Sequence, residues 1–358
     1  MHPATLPQAS SFNPLSRLPE ELAQKMEEAG EPSFRGRQWF EWLWRHGVLD
    51  YRAISVWPAR LREAMAERFP FSRVAVVTQQ TATDGTTKWL LRLADGERVE
   101  AVYLPHRWGD AVCISTQVGC NMGCRFCASG LVKRIRNLDA GEMMEQVRVA
   151  HAWAERQGRR LTRVDLMGIG EPLDNLDQVE RFFDLVHEPL GFGISYRHLT
   201  VSTSGLVPAI YRLAEGARPV TLAISLHAPD DALRTRLMPV NRAYPLAQLL
   251  AAARHYAERT GRRVTFEYAM LEGVNDSLDQ ARRLVRLLGH FPCHVNLIPW
   301  NPVPEHPFRP SSRRQVEAFL EVVQAAGISC TIRREMGQTI EAACGQLRRR
   351  GEEAWTSP

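Results

Sequence analysis

The feature that most constrains the fold is a regular alternation of strand-like and helix-like segments from residue 111 to residue 333. Short apolar segments typical of buried strands are separated by stretches whose apolar residues recur at helical spacing. The strand-like segments are AVCIST (111–116), TRVDLM (162–167), HLTVS (198–202), VTLAIS (220–225), VTFEYAM (264–270), HVNLI (294–298) and ISCTIR (328–333). Strands joined by helices run parallel, which predicts an α/β fold. Six or seven such units are too few for a closed eight-stranded barrel, so we expect an open, partial barrel.

Two smaller regions precede this alternation. The first is helical in pattern and rich in aromatic and basic residues, as in FRGRQWFEWLWRHGV, and these rings can form a small core, a basic face for RNA, or both. The second alternates like antiparallel strands, with Asp84-Gly85 and Asp95-Gly96 placed as hairpin turns. The predicted organisation is a disordered N-terminus (1–17), a helical RNA-binding accessory domain (18–72), an antiparallel strand element (73–110), the partial barrel with a C-terminal catalytic segment (111–350) and a tail (351–358).

Composition excludes several classes of protein. The chain lacks an apolar run of the roughly 20 residues needed to span a bilayer, and its first residues lack the apolar core of a signal peptide. We therefore expect a cytoplasmic protein that is not in a membrane. The net charge of +5, from 45 basic and 40 acidic residues, is too small by itself to establish nucleic-acid binding. The seven cysteines are an odd number, and three lie within Cys120–Cys127, which indicates metal binding rather than a disulfide framework.

These three cysteines form the motif GCNMGCRFC, in which Cys120, Cys124 and Cys127 have the spacing C-x3-C-x2-C. The motif follows the strand AVCIST, at the end where parallel barrels carry their sites. Thiolates suit iron–sulfur clusters, and three ligands can hold three irons of a 4Fe-4S cluster while the fourth stays open to a substrate. A structural zinc site needs four ligands, and no fourth cysteine or histidine follows at zinc-finger spacing. The sequence predicts a cluster rather than zinc.

Polar residues recur where the other predicted strands end. Each alone is commonly a cap, a turn or a structural residue, but together they occupy the edge of the sheet that carries the cysteine loop. Glycine allows close approach of a ligand to the backbone, and a carboxylate can accept a hydrogen bond from an amino group. The predicted cofactor-binding residues are Gly170, Glu171, Ser202, Ser225, Leu226, His227 and Asn301.

Several motifs together resemble one family along nearly the whole chain, from Phe34 to Leu347. They are VCISTQVGCNMGCRFCASG, MGIGEPLDN, LTVSTSGLVPAI, AISLHAPDDALR, YAMLEGVNDS, NLIPWNPVP and AACGQL. This pattern is similar to that of the RlmN/Cfr family of radical S-adenosylmethionine (SAM) RNA adenine methyltransferases. The resemblance implies a partial (β/α)6 radical SAM barrel with a small N-terminal helical domain and a short antiparallel strand element. It also implies one 4Fe-4S cluster and two SAM molecules per turnover, and it assigns the predicted cofactor-binding residues to SAM.

The resemblance further implies a mechanism with two cysteines. Cys344 matches the cysteine that accepts a methyl group and carries it to adenine, and Cys113 matches the cysteine that resolves the enzyme–RNA adduct through a transient disulfide. Glu100 matches the proton acceptor. Without the resemblance, Cys344 reads as an ordinary turn cysteine and Glu100 as an exposed strand residue. Cys293 and Cys330 lie in apolar strands and are predicted to be buried structural thiols.

The implied substrates are adenine carbon 2 of 23S rRNA, near the peptidyl transferase centre, and of the tRNA anticodon loop. Methylation of carbon 8, as in the resistance branch of the family, uses the same two cysteines and stays open. The motifs are also compatible with a radical SAM enzyme that acts on a protein or small molecule, and with an iron–sulfur RNA-binding protein without catalysis. Where the family has an acidic pair, this chain has Gln338 and Thr339. An electron donor such as flavodoxin and a monomeric state are also expected.

Several basic residues near these motifs are either phosphate contacts or a solvated surface. They are Lys133, Arg134, Arg136, Arg333, Arg334 and Arg348–Arg350.

Overall fold

The structure is a computed structural model that describes residues 12–71, 73–216, 218–334, 336–340, 342 and 346. Ten α-helices occur in this part of the chain. They are α1 (Pro19–Glu28), α2 (Phe34–Trp44), α3 (Ala59–Arg68), α4 (Ala140–Arg156), α5 (Leu176–His187), α6 (Val207–Glu215), α7 (Asp231–Leu237), α8 (Leu246–Thr260), α9 (Leu278–Leu288) and α10 (Arg313–Ala325). No helix among the described residues is long and apolar enough to cross a membrane.

Helices α1 to α3 pack around an aromatic cluster. Trp39 is fully buried, and its ring centroid lies 5.7 Å from Tyr51, 5.9 Å from Phe69 and 6.1 Å from Trp57. Edge-on aromatic contacts of this kind stabilise a small core beyond the area that they bury. The aromatic residues of this region therefore form a core, whereas Phe34, at 55% exposure, stays on the surface.

The prediction of disorder up to residue 17 is wrong at its C-terminal end. Pro14–Ser16 form a 3-10 turn, and Leu15 is buried. Asn13 and Ser16 donate hydrogen bonds to the Asp139 carboxylate, at 3.1 and 3.3 Å, and Ser16 Oγ accepts one from the Gly141 N–H at 2.9 Å. Asn13 and Ser16, whose polar side chains suggested disorder, thus form hydrogen bonds with Asp139 and the free N–H groups at the N-terminus of α4.

Ten strands form one sheet, and the remaining two form a small separate hairpin. The strands are β1 (Ala75–Thr81), β2 (Thr87–Arg92), β3 (Arg98–Leu104), β4 (Asp110–Cys113), β5 (Gln117–Val118), β6 (Arg136–Asn137), β7 (Leu161–Leu166), β8 (Leu199–Thr203), β9 (Thr221–Ser225), β10 (Val264–Met270), β11 (Cys293–Pro299) and β12 (Ser329–Ile332). The order in the large sheet is β1-β2-β3-β4-β7-β8-β9-β10-β11-β12. Strands β1 to β4 pair antiparallel, and β4 and β7 to β12 pair parallel in chain order.

The parallel part contains six strand–helix units followed by β12, which confirms the predicted α/β fold and partial (β/α)6 architecture. The first strand is shorter than the predicted AVCIST segment. The regular strand ends at Cys113, although the Ile114 N–H still donates to Asp165 O at 2.9 Å and Ile114 O accepts from the Gly168 N–H at 3.0 Å. Beyond Ile114, the Ser115 N–H donates to the Gln146 side chain of α4, at 2.8 Å. The predicted cap of α4 is confirmed, since Asp139 and Glu142 exchange bonds of 2.8 and 3.0 Å.

Candidate cluster and substrate sites

The cysteine loop is held at both ends by the hairpin of β5 and β6, which directly precedes and follows it. The Cys120 N–H donates to Val132 O at 2.9 Å across the neck of the loop. Gly119 has a φ of +77°, and a Cβ there would lie 2.3 Å from Lys133 O. Only glycine fits this close backbone crossing, which sets the direction in which the loop leaves the sheet.

Three other parts of the chain hold the middle of the loop through its backbone. Arg125 N donates to Leu237 O at 2.9 Å, and the buried Trp300 indole N–H donates to Phe126 O at 2.9 Å. His306 Nε2 lies 3.2 Å from Cys127 O. These contacts pair polar groups of the loop backbone and fix its path. The cysteine side chains of the fixed loop line a cleft.

All three cysteines line this cleft, which we call the cluster cleft. Burial raises the pKa of the Cys120 thiol to about 12, and burial together with the neighbouring thiolates raises the pKa of Cys124 well above its usual range. Burial also raises the pKa of Cys127. Bound iron supplies the positive charge that stabilises three thiolates so placed, with release of their protons. The donor set therefore fits an iron–sulfur cluster.

The cluster cleft continues from the cysteines along the ends of β7, β8 and β9. Five of the predicted cofactor residues line it, namely Gly170, Glu171, Ser202, Ser225 and His227. The polar groups that suit SAM therefore lie in the same cleft as the three cysteines.

Glu171 is buried at the end of β7, with both carboxylate oxygens accepting backbone N–H groups. Oε1 accepts from Leu173 at 3.1 Å and Oε2 from Ser204 at 2.7 Å. Burial raises the pKa of this carboxyl, and the bonds from Ser204 and its neighbours counteract that rise. Each oxygen retains a second lone pair, so the group can still accept a bond from a ligand ammonium.

Gly170 shapes the cleft beside this carboxylate. Its φ is +111°, and a Cβ there would lie 2.7 Å from the Gln117 side chain. The same Gln117 accepts a bond of 2.8 Å from the Glu171 N–H through its Oε1. Glycine thus lets β5 and the end of β7 approach closely, and the amide of Gln117 fixes the position of Glu171.

His227 has a backbone that only a few side chains tolerate, with φ at +55°. Its Nδ1 accepts a bond of 2.8 Å from the Ala269 N–H, so the neutral ring carries its proton on Nε2. Burial, and then Arg234, lower the pKa of His227 to about 3. The Phe126 ring packs edge-on against it at 4.6 Å between centroids. His227 therefore offers the cleft a neutral, fixed imidazole.

Leu226 is not in the cleft, although the sequence placed it among the cofactor residues. Its side chain is fully buried in the main hydrophobic core. Alternation along the chain explains this, because its neighbours Ser225 and His227 face the cleft and Leu226 points the other way. Its carbonyl accepts a bond of 3.3 Å from Arg234 Nε.

Arg234 is a residue that sequence reasoning missed. It is fully buried and donates to Ser204 O (2.7 Å), Ser225 O (3.0 Å) and the Asn241 side chain (2.9 Å). Burial lowers the pKa of Arg234 to about 10. One guanidinium thus ties together the ends of β8 and β9, which carry the polar rim of the cleft. It lies seven residues after His227 in the segment AISLHAPDDALR, and no local pattern in that segment reports its burial.

A second cavity adjoins the cluster cleft, and Met167, Ile298 and Arg333 line both. We call it the Cys113 cavity, because Cys113, at the end of β4, lies in its wall. Asn301, which the sequence grouped with the SAM residues, lines this second cavity rather than the first. Directly after β11, Trp300 lines the cluster cleft, whereas the next residue, Asn301, lines the Cys113 cavity.

Ala342 also lines the Cys113 cavity and packs in the same apolar cluster as Cys113. Gly337, earlier in this C-terminal segment, donates its N–H to Asp84 at 3.0 Å, and a Cβ there would lie 2.7 Å from Thr86. The segment is therefore anchored on the turn between β1 and β2. Cys344 lies outside the described residues, two positions after Ala342.

Glu100 lies on β3, and the expectation that it would be exposed without the family resemblance is wrong. It is only 1% exposed, and its Oε1 lies 4.0 Å from Nζ of the equally buried Lys88. It shares a face of β3 with Val102 and Leu104, which line the Cys113 cavity. β3 lies inside the sheet, between β2 and β4, and Ala342 of the C-terminal segment packs in the same apolar cluster as Val102 on this face.

The basic residues near the motifs differ in their surroundings. Arg134 pairs with Asp174, and Arg136 pairs with Asp95 and Glu142 at 2.6 and 2.8 Å, so these two guanidinium groups hold the cysteine loop onto its neighbours. Arg333 lies 4.0 Å from the buried Glu267. Lys133 and Arg334 are exposed, whereas residues 348–350 lie outside the described part of the chain. Cys293 and Cys330 are buried in β11 and β12, as predicted.

Comparison with known proteins agrees with this geometry. A sequence model of the Radical SAM superfamily matches residues 114–285, which contain the three cysteines and the strand ends of the cluster cleft. A crystal structure of a radical SAM methyltransferase from Sphaerobacter thermophilus superposes with a TM-score of 0.92 at 45% identity, covering 95% of this chain and 100% of that one. The superfamily implies a 4Fe-4S cluster and SAM, and the three thiols and the cleft fit both.

Curated relatives narrow the family. A protein of Symbiobacterium thermophilum named "Probable dual-specificity RNA methyltransferase RlmN" is 51% identical over 335 residues, which span 93% of this chain and 90% of the relative. A protein of the same name from Carboxydothermus hydrogenoformans is 48% identical over 92% of this chain and 96% of the relative. With this identity over almost the full length of both proteins, the chain belongs to the RlmN family of radical SAM RNA methyltransferases.

Proposed function

We propose that this enzyme methylates carbon 2 of adenine in 23S rRNA, at the peptidyl transferase centre, and in the anticodon loop of tRNA. It acts as a monomer in the cytoplasm, consumes two SAM molecules per turnover and receives electrons from a donor such as flavodoxin. The single observation that carries this proposal is the common wall of two cavities. Met167, Ile298 and Arg333 separate the cluster cleft from a cavity that contains Cys113 and the start of the segment leading to Cys344.

Carbon 2 of adenine has no acidic hydrogen, so a simple polar methyl transfer from SAM is not available to it. A thiol solves this difficulty because sulfur accepts a methyl group from the first SAM as a thiolate. We assign this carrier role to Cys344. Cys120, Cys124 and Cys127 would hold the cluster, which when reduced would supply the electron that converts the second SAM to a radical able to remove hydrogen from the S-methyl group. Cys344 then holds a carbon that can add to the adenine ring.

Glu171, Ser202, Ser225 and His227 are the residues we assign to binding of SAM in the cluster cleft. Glu171 accepts from the amino group, and the neutral His227 donates through Nε2 without bringing a second positive charge near the sulfonium. Gly170 lines the same cleft, and its lack of a side chain lets Gln117 approach and fix Glu171. We assign Asn301 to contact with SAM from the side of the Cys113 cavity, which it lines.

Glu100 and Cys113 complete the reaction on the adduct in this proposal. Glu100 takes the ring proton, and Lys88 beside it favours the carboxylate form that can do so. The Cys113 thiolate attacks the sulfur of Cys344, the S–C bond to the methylene breaks, and the released carbon takes a proton to become the methyl group. The adduct must also lose its unpaired electron, which the oxidised iron–sulfur cluster held by Cys120, Cys124 and Cys127 would take back, and an external reductant later returns two electrons to the disulfide.

The test is analysis of methylated nucleosides. Protein reconstituted anaerobically with iron and sulfide is incubated with SAM, dithionite and an unmodified 23S rRNA fragment, and the RNA is digested for mass spectrometry. We expect 2-methyladenosine from this fragment and from unmodified tRNA. Detection of 8-methyladenosine would instead assign the enzyme to the carbon-8 branch. SAM cleavage with unmodified adenosine in both RNAs would contradict the proposed substrate.

Two alanine variants test the mechanism: one at Cys113, and a matched control at Cys330. Cys113→Ala should abolish the methylated nucleoside and leave RNA covalently attached to the protein, visible as a shifted band in a denaturing gel. Cys330→Ala removes a buried thiol from β12, outside both cavities, and should retain methylation. Equal activity of the two variants would exclude the role of Cys113.

A further inference from the structure

The cysteine loop has a second accessible side, opposite the cluster cleft. A shallow depression on the outer surface is lined by Cys124, Arg125, Arg236 and His306, together with Gly123 and Gly130. Cys124 lines both this depression and the cluster cleft. One turn of backbone therefore separates a cluster bound by these cysteines from the solvent outside the barrel.

Small residues make this separation thin. Gly123 and Gly130 carry no side chains over the Cys124 backbone, and a Cβ at Gly130 would already lie 3.2 Å from Cys124 O. Gly123 has a φ of +66° and is exposed. His306, on the other rim, contacts Cys127 O at 3.2 Å. A partner resting in this depression would touch one cluster ligand, Cys124, directly, and would reach Cys127 only through His306.

The charge of the depression is positive and uncompensated. Arg125 and Arg236 are exposed, and neither joins an ion pair with a described residue, whereas Arg134 and Arg136 on the other side of the loop both do. The described lining residues include no carboxylate. Unpaired exposed guanidinium groups attract an acidic surface over long range and speed its encounter.

We propose that this surface, formed by Arg125, Arg236, His306 and the two glycines, docks the protein that reduces the cluster. The partner is an acidic carrier with a low-potential one-electron cofactor, a reduced flavin or an iron–sulfur cluster. One electron leaves that cofactor and reduces the cluster of the methyltransferase, with no bond made or broken. This inference rests on the proposed radical SAM function and adds the place where its electron enters.

RNA is the competing occupant of a basic surface, and the location of the depression favours the protein. The Cys113 cavity, where the nucleobase is proposed to react, shares no lining residue with the depression and adjoins the cluster cleft at Met167, Ile298 and Arg333 rather than at Cys124. Contacts between redox proteins are small, usually below about 1,200 Å², so two arginines form a substantial part of the interface.

The experiment compares two reductants on the double variant Arg125→Glu/Arg236→Glu. SAM cleavage to 5′-deoxyadenosine is measured with dithionite, which needs no docking, and with purified flavodoxin kept reduced by its NADPH-dependent reductase. We expect wild-type rates with dithionite and at least a tenfold lower rate with flavodoxin at low salt. High salt should reduce the difference, because it screens the attraction in wild type. Arg286→Glu, on the exposed face of α9, is the matched control and should behave as wild type in both assays.

The iron content of each variant is measured first. If the glutamate variant binds less iron than wild type, the milder Arg125→Gln/Arg236→Gln variant replaces it. We expect that variant also to lower the rate with flavodoxin and not with dithionite. Equal rates with flavodoxin in wild type and variant would overturn the proposal. So would weaker binding of the RNA fragment with unchanged flavodoxin kinetics, which would assign the surface to RNA. Absence of SAM cleavage with dithionite in wild type would instead contradict the proposed function itself.

Discussion

The two adjoining cavities differ in which parts of the chain build them. The cluster cleft draws its cysteines, Glu171 and His227 from residues 114–285, the range that matches the Radical SAM superfamily as a whole. The Cys113 cavity instead uses Cys113 and Val102 from before this range and Asn301 and Ala342 from after it. Residues of the superfamily range thus form most of the cluster cleft, whereas segments before and after that range form most of the Cys113 cavity, which we propose receives the RNA.

The cavities also differ in charge. The cluster cleft presents two buried carboxylates, Glu171 and Glu267, and a neutral imidazole, which suit the cationic sulfonium and ammonium groups of SAM. The Cys113 cavity is lined by Arg333, Arg334 and one carboxylate, Asp165, and its two guanidinium groups suit the phosphates of RNA. Arg333 lines both cavities and lies 4.0 Å from the buried Glu267. This division predicts that variants in the cluster cleft lose SAM cleavage, whereas variants in the Cys113 cavity lose RNA methylation alone.

The largest effect is expected from Cys124→Ala. Loss of one of three cluster ligands should lower SAM cleavage and RNA methylation together, each on the order of 10³-fold or more, because both require the cluster. Production of 5′-deoxyadenosine and of methylated nucleoside is measured after anaerobic reconstitution, with Cys293→Ala as a control at a buried thiol of β11. Retention of either activity in Cys124→Ala would show that the two halves do not share one cluster.

Cys113→Ala should separate the two halves. We expect methylation to fall by a similar factor while SAM cleavage persists, because Cys113 lines the RNA cavity and not the cluster cleft. The measurement is the ratio of 5′-deoxyadenosine to methylated nucleoside in one reaction. If SAM cleavage falls as steeply as methylation, the cavities act as a single unit and the proposed division is wrong.

The buried pair of Lys88 and Glu100 gives a third test, through stability. Lys88→Met removes the cation that lies 4.0 Å from the buried Glu100 carboxylate, and breaking such a pair typically costs about 3–5 kcal/mol. Denaturant unfolding should show this loss, and the double variant Lys88→Met/Glu100→Gln should recover part of it because both charges of the pair are then removed. A double variant that is as unstable as the sum of the two single variants would show that the two charges do not interact.

The sequence predicted much of the cluster cleft and less of the Cys113 cavity, for physical reasons. The three cysteines and the polar residues at strand ends are local patterns, and parallel strands bring their C-terminal ends together whatever the details. The burial of Glu100 and the approach of Ala342 to Cys113 depend on how the C-terminal segment packs over β1 to β3. Such contacts join residues over 200 positions apart, and no local periodicity reports them.

Leu226 and Arg234 also show that the surroundings of a side chain depend on tertiary packing. Leu226 lies between two cleft residues but belongs to the core, because alternate side chains of an extended segment face opposite ways. Arg234 was overlooked because an arginine early in a helix usually faces solvent. Here its guanidinium is buried and bonded to three carbonyls of neighbouring strand ends. Burial of a charge is a tertiary property that the sequence does not display.

The smallest predicted effect concerns the pH dependence of stability. The fold lowers the pKa of His227 to about 3, whereas the unfolded chain has a pKa near 6.5. Protons therefore bind the unfolded state first as the pH falls. The contribution of this ring to stability is complete above about pH 6.5 and decreases by about 1.4 kcal/mol per pH unit toward pH 3.

His227→Asn removes the titrating ring, and asparagine tolerates the positive φ and can still accept from the Ala269 N–H. We expect wild-type apo-protein to lose stability relative to this variant between pH 6 and pH 4, as measured by urea unfolding at each pH. The buried carboxyls Glu171 and Glu267 are present in both proteins, so their opposite trends cancel in the difference. His290→Asn, at an exposed histidine, controls for the loss of one ring and should follow the wild-type curve. A pH-independent difference in the free energy of unfolding between wild type and His227→Asn would show that His227 is not held neutral. A charged ring beside a cationic cofactor would remove the electrostatic contrast between the two cavities.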